Sequence, residues 1–452
     1  MTRLDLQQLE RLIENGDVNS IIIASVDMQG KLFGKRVPAA YFLETAKDGI
    51  HTCALNFAWD VSLNFGAFDY CNWETGVHDI RTIPDLSTMR PYPWSPKTAF
   101  VLADSYEKDG SEVRVAPRNM LKTQIAKAAA MGMKAYAASE IEFYIFRETS
   151  STVREKNYSN LKPLFEYPID YSIFRLTVDR WFLGQLTENL EAAGVPIEAL
   201  KGEWGKGQIE LNVRYAEALE MADRTAIYKN GIKEMAALNQ LMVTFMAKQD
   251  QTDSGSSGHT HISLWDLQGE TNLLSDPDDE YGLSETGRYF LGGMMSLAPE
   301  MMIFYAPYIN SYKRIMDFGS GAPNTVSWGI DNRSTSFRFD GKGKSSRFEN
   351  RVPGADANHY LVLTAMLASG LYGIENRIDI PSPIKGNASV QAIPRLPTNL
   401  FDAFRLLEKS DTVRALLGDD VVNHYLQAVQ LELNDFFSSV TDWERKKYFE
   451  FI

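Results

Sequence analysis

Two glutamates on one face of an apolar strand are the feature that most restricts how this chain can fold. The stretch ASEIEFYIF has the periodicity of a strand, because Ile141, Phe143 and Ile145 alternate as one apolar face. Glu140 and Glu142 then share the opposite face. A buried strand carries two neighbouring like charges only where a cation compensates them. The alternative at this point is a half-exposed strand with a solvated acidic face.

Net charge and cysteine content narrow the class of protein. The 452 residues carry a net charge of −13, which argues against nucleic acid or an anionic membrane surface as a partner. The two cysteines, Cys53 and Cys71, imply no disulfide framework and fit a reducing compartment. The first residues do not have the pattern of a signal peptide, and no apolar run approaches the length that spans a membrane. We therefore expect a cytoplasmic enzyme with no nucleic-acid or membrane partner.

Turn and helix signals divide the chain into a small and a large α+β part. SIIIASVDMQGKLFGKRVP predicts a β-hairpin, TAFVLADSY predicts a strand, and the aromatic-rich residues 51–80 predict a long loop. A change of texture near residue 112 predicts a mixed domain over 1–112 and a larger domain over 113–452. Helices are predicted over 4–15, the stretch APRNMLKTQIAKAAAMG, 177–193, 216–240, 355–376 and 400–450.

Other carboxylates and imidazoles occur in settings that suit a metal site. Glu203 and Glu210 stand at the two ends of the glycine-rich stretch KGEWGKGQIEL, where backbone can approach closely. His259 and His261 alternate in SGHTHISLW, so both imidazoles face one side of a predicted strand, and Glu349 lies between two arginines in SSRFENRVP. Singly, these residues also fit surface turn acids, a core histidine and an exposed ion-pair strand. Together they form a donor set for magnesium or manganese, and the absence of cysteine from these segments excludes a thiolate zinc site.

At this point the chain resembles the glutamine synthetase family, because several motifs occur in the family's order over nearly its whole length. The motifs are SEIEFYIF, GQIELN, FMAK, HTHISLW, NSYKR, DNRSTSFR and RFENRVPG. The resemblance implies a β-grasp domain over 1–112 and a catalytic domain over 113–452, whose antiparallel sheet forms half of an active-site funnel. It also implies a homo-oligomeric ring, hexamer or dodecamer, in which a neighbouring subunit completes each funnel.

The resemblance sorts the candidate ligands into two sites for Mg²⁺ or Mn²⁺. The residues implied for the metal nearer the amino-acid substrate are Glu142, Glu203 and Glu210. Those implied for the metal nearer the nucleotide phosphates are Glu140, His259 and Glu349. On this interpretation the two glutamates of the opening strand face two different cations.

The resemblance also implies binding residues for ATP and glutamate. The ATP set is His261, Ser263, Trp265, Arg333, Arg338, Lys344 and Arg347. The glutamate set is Glu142, Gly255, His259, Arg314 and Arg351, and the catalytic set is Arg314, Arg333 and Asp60, the last matched only by its place in the N-terminal region. Because metal-bound carboxylates, ATP and glutamate together carry excess negative charge, the arginines are expected to compensate it.

The implied reaction is a two-step ligation in nitrogen metabolism. The γ-carboxylate of glutamate attacks the terminal phosphate of ATP, and a nitrogen nucleophile then displaces phosphate from γ-glutamyl phosphate. The competing functions are a catalytically inactive ring protein and a phosphagen-type kinase. The segment NLFD carries Phe401 where regulated bacterial members have an adenylylated tyrosine, so that control is expected to be absent, and Ser254 replaces an asparagine near Gly255.

The flap segment IMDFGSGAP departs from the family's pattern in a way that concerns the nucleophile. Gly319, Ser320 and Gly321 stand where a glutamate that holds ammonium is expected, and Asp317 is offset. Losing an acid disfavours a small cation and leaves room for a larger one, so the sequence predicts an organic amine and a γ-glutamylamine-type synthetase. The alternative is an ordinary glutamine synthetase that uses ammonium, with Asp317 or Glu300 reaching into the site.

An aromatic loop in the N-terminal part is predicted to line the space for the amine and to need cover from a neighbouring subunit. Its aromatic residues are Phe57, Trp59, Phe65, Phe68, Tyr70 and Trp73.

Overall fold

The computed structural model describes residues 3–65, 68–316 and 321–452. Its strands are β1 (Ser20–Val26), β2 (Leu32–Pro38), β3 (Ile50–Cys53), β4 (Asp79–Pro84), β5 (Arg90–Pro91), β6 (Thr98–Tyr106), β7 (Met133–Phe146), β8 (Ile197–Gly202), β9 (Gln208–Glu217), β10 (Met242–Thr244), β11 (Gly258–Asp266), β12 (Trp328–Ile330), β13 (Phe337–Asp340) and β14 (Arg347–Asn350). Its α-helices are α1 (Leu6–Glu14), α2 (Ala39–Glu44), α3 (Pro117–Ala130), α4 (Ser150–Glu155), α5 (Ile173–Val178), α6 (Arg180–Ala192), α7 (Ala218–Leu238), α8 (Glu285–Leu297), α9 (Met302–Tyr305), α10 (Ile309–Ile315), α11 (His359–Glu375), α12 (Leu400–Glu408), α13 (Asp411–Leu417), α14 (Asp419–Ser438) and α15 (Asp442–Tyr448).

The strands form two sheets. The N-terminal sheet has the order β2-β1-β6-β4-β3, with β5 pairing β6, and β1 runs parallel to β6. The second sheet has the order β12-β13-β14-β11-β7-β9-β8, with β10 pairing β7, and its pairs are antiparallel apart from β12 with β13. The chain is therefore a mixed α/β protein with a large, mostly antiparallel sheet in its C-terminal part. The predicted hairpin is confirmed as β1 and β2.

A continuous apolar core joins the two parts. The N-terminal sheet packs one face on a small cluster that includes Ile21, Ile23 and Phe42. Its other face, including Phe100, belongs to the extensive core that also contains most of α11. The larger sheet therefore packs on a dense apolar core. None of the helices in the described ranges is long and apolar enough to cross a membrane.

Strand β7 has the two faces that its sequence predicts. Ile141, Phe143 and Ile145 are fully buried, whereas Glu140 and Glu142 are half-buried. The strand lies inside the sheet between β9 and β11, so the acidic face is flanked on both sides by neighbouring side chains. It is therefore not the solvated acidic face that the alternative interpretation required.

Residues 51–80 are more structured than a long loop. β3 and β4 pair antiparallel, and a 3₁₀ turn over Ala54–Phe57 lies between them. Phe57 and Phe68 are buried in the main core, so the prediction that they line an amine-binding space is wrong for these two residues. The loop exposes Phe65 and Trp73, whose rings lie edge to face with centroids 5.6 Å apart.

The helix predicted over 177–193 is divided in two. α5 ends at Val178 and α6 begins at Arg180, with Asp179 between them. The buried carboxylate of Asp179 accepts hydrogen bonds from Arg147, at 3.3 Å, and from Arg175, at 2.5 Å. These bonds stabilise the interruption, because a buried carboxylate needs cationic partners.

Candidate active site

The register of the large sheet brings the predicted ligands together. Glu142 on β7 lies opposite Glu210 on β9, and Glu140 lies opposite His259 on β11. Directly opposite residues of paired strands project to the same side with their Cβ atoms about 5 Å apart. One face of the sheet therefore collects acidic side chains from neighbouring strands, with β14 adding Glu349 next to β11.

The first cluster consists of Glu142, Glu203 and Glu210, whose nearest carboxylate oxygens all lie within 4.8 Å of one another. Glu203 belongs to the glycine-rich turn between β8 and β9. At Gly205 a Cβ atom would lie 1.9 Å from the hydroxyl oxygen of Tyr144. Only glycine fits there, and the close approach holds the turn against the sheet.

This first cluster is short of positive charge. Burial, followed by the charges of Glu140 and Glu142, raises the pKa of Glu210 to about 8. Burial and the charge of Glu203 also raise the pKa of Glu142. Lys201 contacts Glu203 and compensates part of the negative charge. The raised pKa values show that negative charge is crowded here. A divalent cation that prefers oxygen ligands would neutralise that charge.

Two side chains that the sequence analysis missed fix Glu142 in place. Ser257 donates from its backbone nitrogen at 2.8 Å and from its hydroxyl at 2.7 Å, and Gln208 Nε2 donates at 3.0 Å. Gln208 stands two residues before Glu210, so strand periodicity places both side chains on one face and was a usable signal. Ser257 comes from a different segment, and only the register of β7 with β11 reveals its contact.

The second cluster consists of Glu140, His259 and Glu349, whose candidate ligand atoms also lie within 4.8 Å of one another. Unlike the first, it contains guanidinium groups: Arg338 Nη1 lies 2.9 Å from Glu349 Oε2, and Arg351 Nη1 lies 2.5 Å from Glu349 Oε1. Burial alone would raise the pKa of Glu349, but neighbouring cationic groups, among them Arg351, bring it down to about 2. Burial and Arg351 hold the pKa of His259 well below its ordinary value, so this imidazole is neutral and able to bind a metal.

A cavity of about 470 Å³ lies beside the second cluster and contains most of the predicted ATP residues. The predicted residues that line it are His261, Ser263, Trp265, Lys344 and Arg347. Glu140 forms part of its wall, and Trp265 Nε1 donates to Ser263 Oγ at 2.9 Å. Tyr136, Glu198 and Tyr215, which were not predicted from the sequence, also line the cavity. Tyr136 shares the face of Glu140 by strand periodicity, so its contribution was predictable.

Two predicted ATP residues lie elsewhere. Arg338 pairs with Glu349 and Asp331 rather than lining the cavity. Arg333 has an exposed side chain in a separate surface depression, and its backbone carbonyl accepts a 3.0 Å hydrogen bond from Arg351. Arg333 is therefore tied to the second cluster through backbone, and its guanidinium is accessible to a ligand.

Arg314 and Gly255 lie next to the first cluster. Arg314 is buried and donates to the carbonyl oxygens of Val352, at 2.9 Å, and Arg351, at 3.1 Å. Burial lowers the pKa of Arg314 to about 10, so the guanidinium stays charged at neutral pH. A Cβ at Gly255 would lie 2.8 Å from Cγ of Arg314, and the carbonyl of Gly255 accepts from Gln208, which also holds Glu142.

Asp60 is not brought to these clusters. The carboxylate of Asp60 accepts from the backbone nitrogens of Ser62, at 2.7 Å, and Asn64, at 2.9 Å, within its own loop. Asp317, Gly319 and Ser320, on which the flap prediction rests, lie outside the described residues. Gly321, which follows them, is exposed.

The sequence and the fold of this chain are similar to those of known proteins. A profile of the glutamine synthetase catalytic domain matches residues 114–448. Gamma-glutamylethanolamide synthetase GlnA4 of Streptomyces coelicolor is 39% identical over 99% of this chain and 96% of that protein. Glutamate–isopropylamine ligase of a Pseudomonas species is 40% identical over 97% of each. The solved structure of a GmaS/ADP complex has a TM-score of 0.85 and 29% identity, and the match covers 98% of this chain and 99% of that one.

The fold and these matches define the class of the protein as a ligase. The chain belongs to the glutamine synthetase family, as its ordered motifs indicated.

Proposed function

We propose that this protein uses ATP to join the γ-carboxylate of glutamate to an organic amine, which yields a γ-glutamylamide. The observation that carries the proposal is the arrangement of two acidic clusters and a nucleotide-sized cavity on one face of one sheet. The matched Streptomyces relative is named for a γ-glutamylethanolamide product and the Pseudomonas relative for an isopropylamine substrate, which supports an amine rather than ammonium as the nucleophile.

The proposed chemistry has two steps. A γ-carboxylate oxygen of glutamate attacks the terminal phosphorus of ATP, the bond to ADP breaks, and γ-glutamyl phosphate forms. The neutral amine nitrogen then attacks the γ-carbonyl carbon, a C–N bond forms, and the C–O bond to phosphate breaks. The amine loses its protons to bases in the site and to solvent. Arg314 and Arg351 hold the glutamate, and Arg333 stabilises the transferring phosphoryl group.

The two clusters would hold Mg²⁺ or Mn²⁺. We assign Glu142, Glu203 and Glu210 to the metal near glutamate, and Glu140, His259 and Glu349 to the metal near the phosphates. The raised pKa of Glu210 reflects buried, crowded carboxylates whose charge a divalent cation would neutralise, and the neutral imidazole of His259 is able to bind a metal. When bound, these ions neutralise charge on the phosphoryl oxygens.

The nucleotide would occupy the cavity beside the second cluster. Trp265 offers an aromatic face for the base, with Lys344 and Arg347 beside it, and His261 offers a donor for the phosphates. The GmaS structure that matches this chain is a complex with ADP, which supports a nucleotide as ligand.

We further propose a cytoplasmic ring of six or twelve identical chains, in which a β-grasp domain over 1–112 covers the catalytic domain, 113–452, of its neighbour. Within one chain Asp60 reaches neither cluster, so it would serve the neighbour's site. The loop that carries it exposes Val61, Leu63, Phe65 and Trp73, an apolar surface that a second subunit would cover.

The ring is tested by light scattering together with activity. We expect a hexamer or dodecamer, and Leu63→Asp is expected to dissociate it and to lose activity to the same degree, because a charge in that contact is desolvated. The matched control is Tyr158→Asp, which places the same charge at an exposed aromatic position on another surface. A monomer with full activity would exclude the shared site.

The proposed function is tested by a screen of nitrogen donors. With glutamate, ATP and Mg²⁺, we expect ADP release and a γ-glutamylamide product with at least one primary organic amine, at a kcat/KM above that for ammonium. Reactions without glutamate and without donor are the controls. If ammonium has the highest kcat/KM across the panel, the protein is an ordinary glutamine synthetase with an unusual flap.

A further inference from the structure

Next to the first acidic cluster, the ammonium of Lys201 lies in a site built from two carboxylates and an aromatic ring. Its Nζ atom contacts Glu203, lies 3.5 Å from Oδ1 of Asp170, and lies 4.6 Å from the centroid of the Tyr171 ring. Carboxylates with an aromatic face are the groups that recognise an alkylammonium ion. The lysine side chain has the structure of a butylammonium ion. Because it occupies this site, a free alkylammonium ion of similar size would also fit there.

The side chains around the Lys201 ammonium include two exposed aromatic rings. Trp204 and Tyr171 are 68% and 69% exposed, although both lie beside the first acidic cluster, whose side chains are half-buried or buried. The indole nitrogen of Trp204 donates to Oδ2 of Asp170 at 2.8 Å, which orients the carboxylate between the two rings. Large apolar side chains that stay exposed next to a functional site are expected to contact a ligand.

The segment that carries Asp170 packs directly against the turn that carries Glu203. The backbone nitrogen of Ile169 donates to the carbonyl of Glu203 at 3.3 Å. A Cβ at Gly202 would lie 2.3 Å from the side chain of Ile169, so the two segments pack in direct contact. Asp170 and Trp204 are therefore attached to the same turn that supplies Glu203.

We propose that Asp170, Tyr171 and Trp204 form the subsite for the ammonium group and adjacent carbons of a primary alkylamine. This proposal rests on the proposed function, because it names the substrate class of that site. Asp170 and Tyr171 hold the head group, and Trp204 covers the carbons. In this arrangement the tethered ammonium of Lys201 is a competitor that the substrate displaces.

The subsite is tested with variants of its acid and of its ring. Asp170→Asn is expected to raise the KM for an alkylamine about tenfold, because a charge-assisted contact is lost, while KM for glutamate and for ATP does not change. Trp204→Ala is expected to lower kcat/KM for butylamine about tenfold and to leave kcat/KM for ammonium within about twofold, because only the carbons lose contact. Trp204→Phe should recover part of that loss.

Matched controls separate these effects from general perturbation. Glu166→Gln removes a carboxylate from the same exposed segment, and Trp181→Ala removes another exposed indole, from α6. Both are expected to keep wild-type kinetics. Unchanged amine kinetics in Asp170→Asn and Trp204→Ala, or an equal loss for ammonium and butylamine in Trp204→Ala, would overturn the subsite.

A binding measurement distinguishes failure of the subsite from failure of the proposed function. Butylammonium is titrated into the protein without ATP, and binding is followed by calorimetry. Binding that Trp204→Ala weakens, in a protein that makes no γ-glutamylamide, would support the subsite and contradict the ligase proposal. If the protein makes γ-glutamylamides but neither variant changes its binding of butylammonium, the ligase proposal would be supported and the subsite would be contradicted.

Discussion

Glu210→Gln and Glu349→Gln are both expected to abolish turnover, yet to change the thermal stability of the metal-free protein in opposite directions. Each removes a proposed metal ligand, so activity should fall by about 10²-fold or more even at saturating Mg²⁺ or Mn²⁺. The stability effects differ because Glu210 lies among carboxylates, whereas Glu349 accepts hydrogen bonds from Arg338 and Arg351.

The signs follow from the pKa shifts. The pKa of Glu210 is raised to about 8, so between about 4.5 and 8 the folded protein holds a proton that the unfolded chain releases. Its stability contribution therefore falls as pH rises through that window, and a neutral glutamine removes the penalty. The pKa of Glu349 is lowered to about 2, so its contribution is present above its ordinary pKa and is lost as pH falls towards 2.

At pH 8 without metal, Glu210→Gln should therefore have a higher melting temperature than the wild type, and Glu349→Gln a lower one. The expected loss of unfolding free energy in Glu349→Gln is about 2 kcal/mol. The advantage of Glu210→Gln should disappear near pH 4.5. Glu188→Gln, on an exposed part of α6, is the control and should change neither property. Wild-type activity in either ligand variant would end the two-metal interpretation, and stability changes of the same sign would contradict the electrostatic account.

Arg333→Lys is expected to lose on the order of 10²-fold in kcat although it keeps the positive charge. The guanidinium of Arg333 is exposed, and its backbone is attached to Arg351, so it is placed to meet a phosphoryl group. An ammonium cannot supply the planar pair of donors that phosphoryl oxygens accept. Steady-state kinetics with saturating glutamate and ATP measure the loss.

The control for this variant is Arg180→Lys, because Arg180 is also exposed and pairs with Glu188 on its own helix. It should retain wild-type kinetics. Near-normal kcat in Arg333→Lys would mean that Arg333 is an ordinary surface charge.

Period-two alternation in β7 allowed the positions of Glu140 and Glu142 to be predicted from the sequence, because side-chain direction in a strand depends only on residue parity. The assignment of the two glutamates to different clusters came from the family resemblance. Its physical basis is the register of β7 with β9 and β11, which local sequence does not specify.

The contacts that sequence could not provide arise between distant segments. Ser257 reaches Glu142 and Asp170 reaches Lys201 only because the folded sheet and turn bring them together. Phe57 and Phe68 were misassigned for a related reason. Aromatic residues in an irregular segment have no period that separates buried from exposed positions. Phe57 and Phe68 are buried in the main core.

The most direct test of the account is competition between nucleophiles in one reaction. The wild-type protein is given glutamate, ATP and Mg²⁺ with equal concentrations of butylamine and ammonium, and the products are measured by mass spectrometry. The account predicts mostly γ-glutamylbutylamide, with one ADP and one phosphate released per amide formed. Mostly glutamine would contradict it.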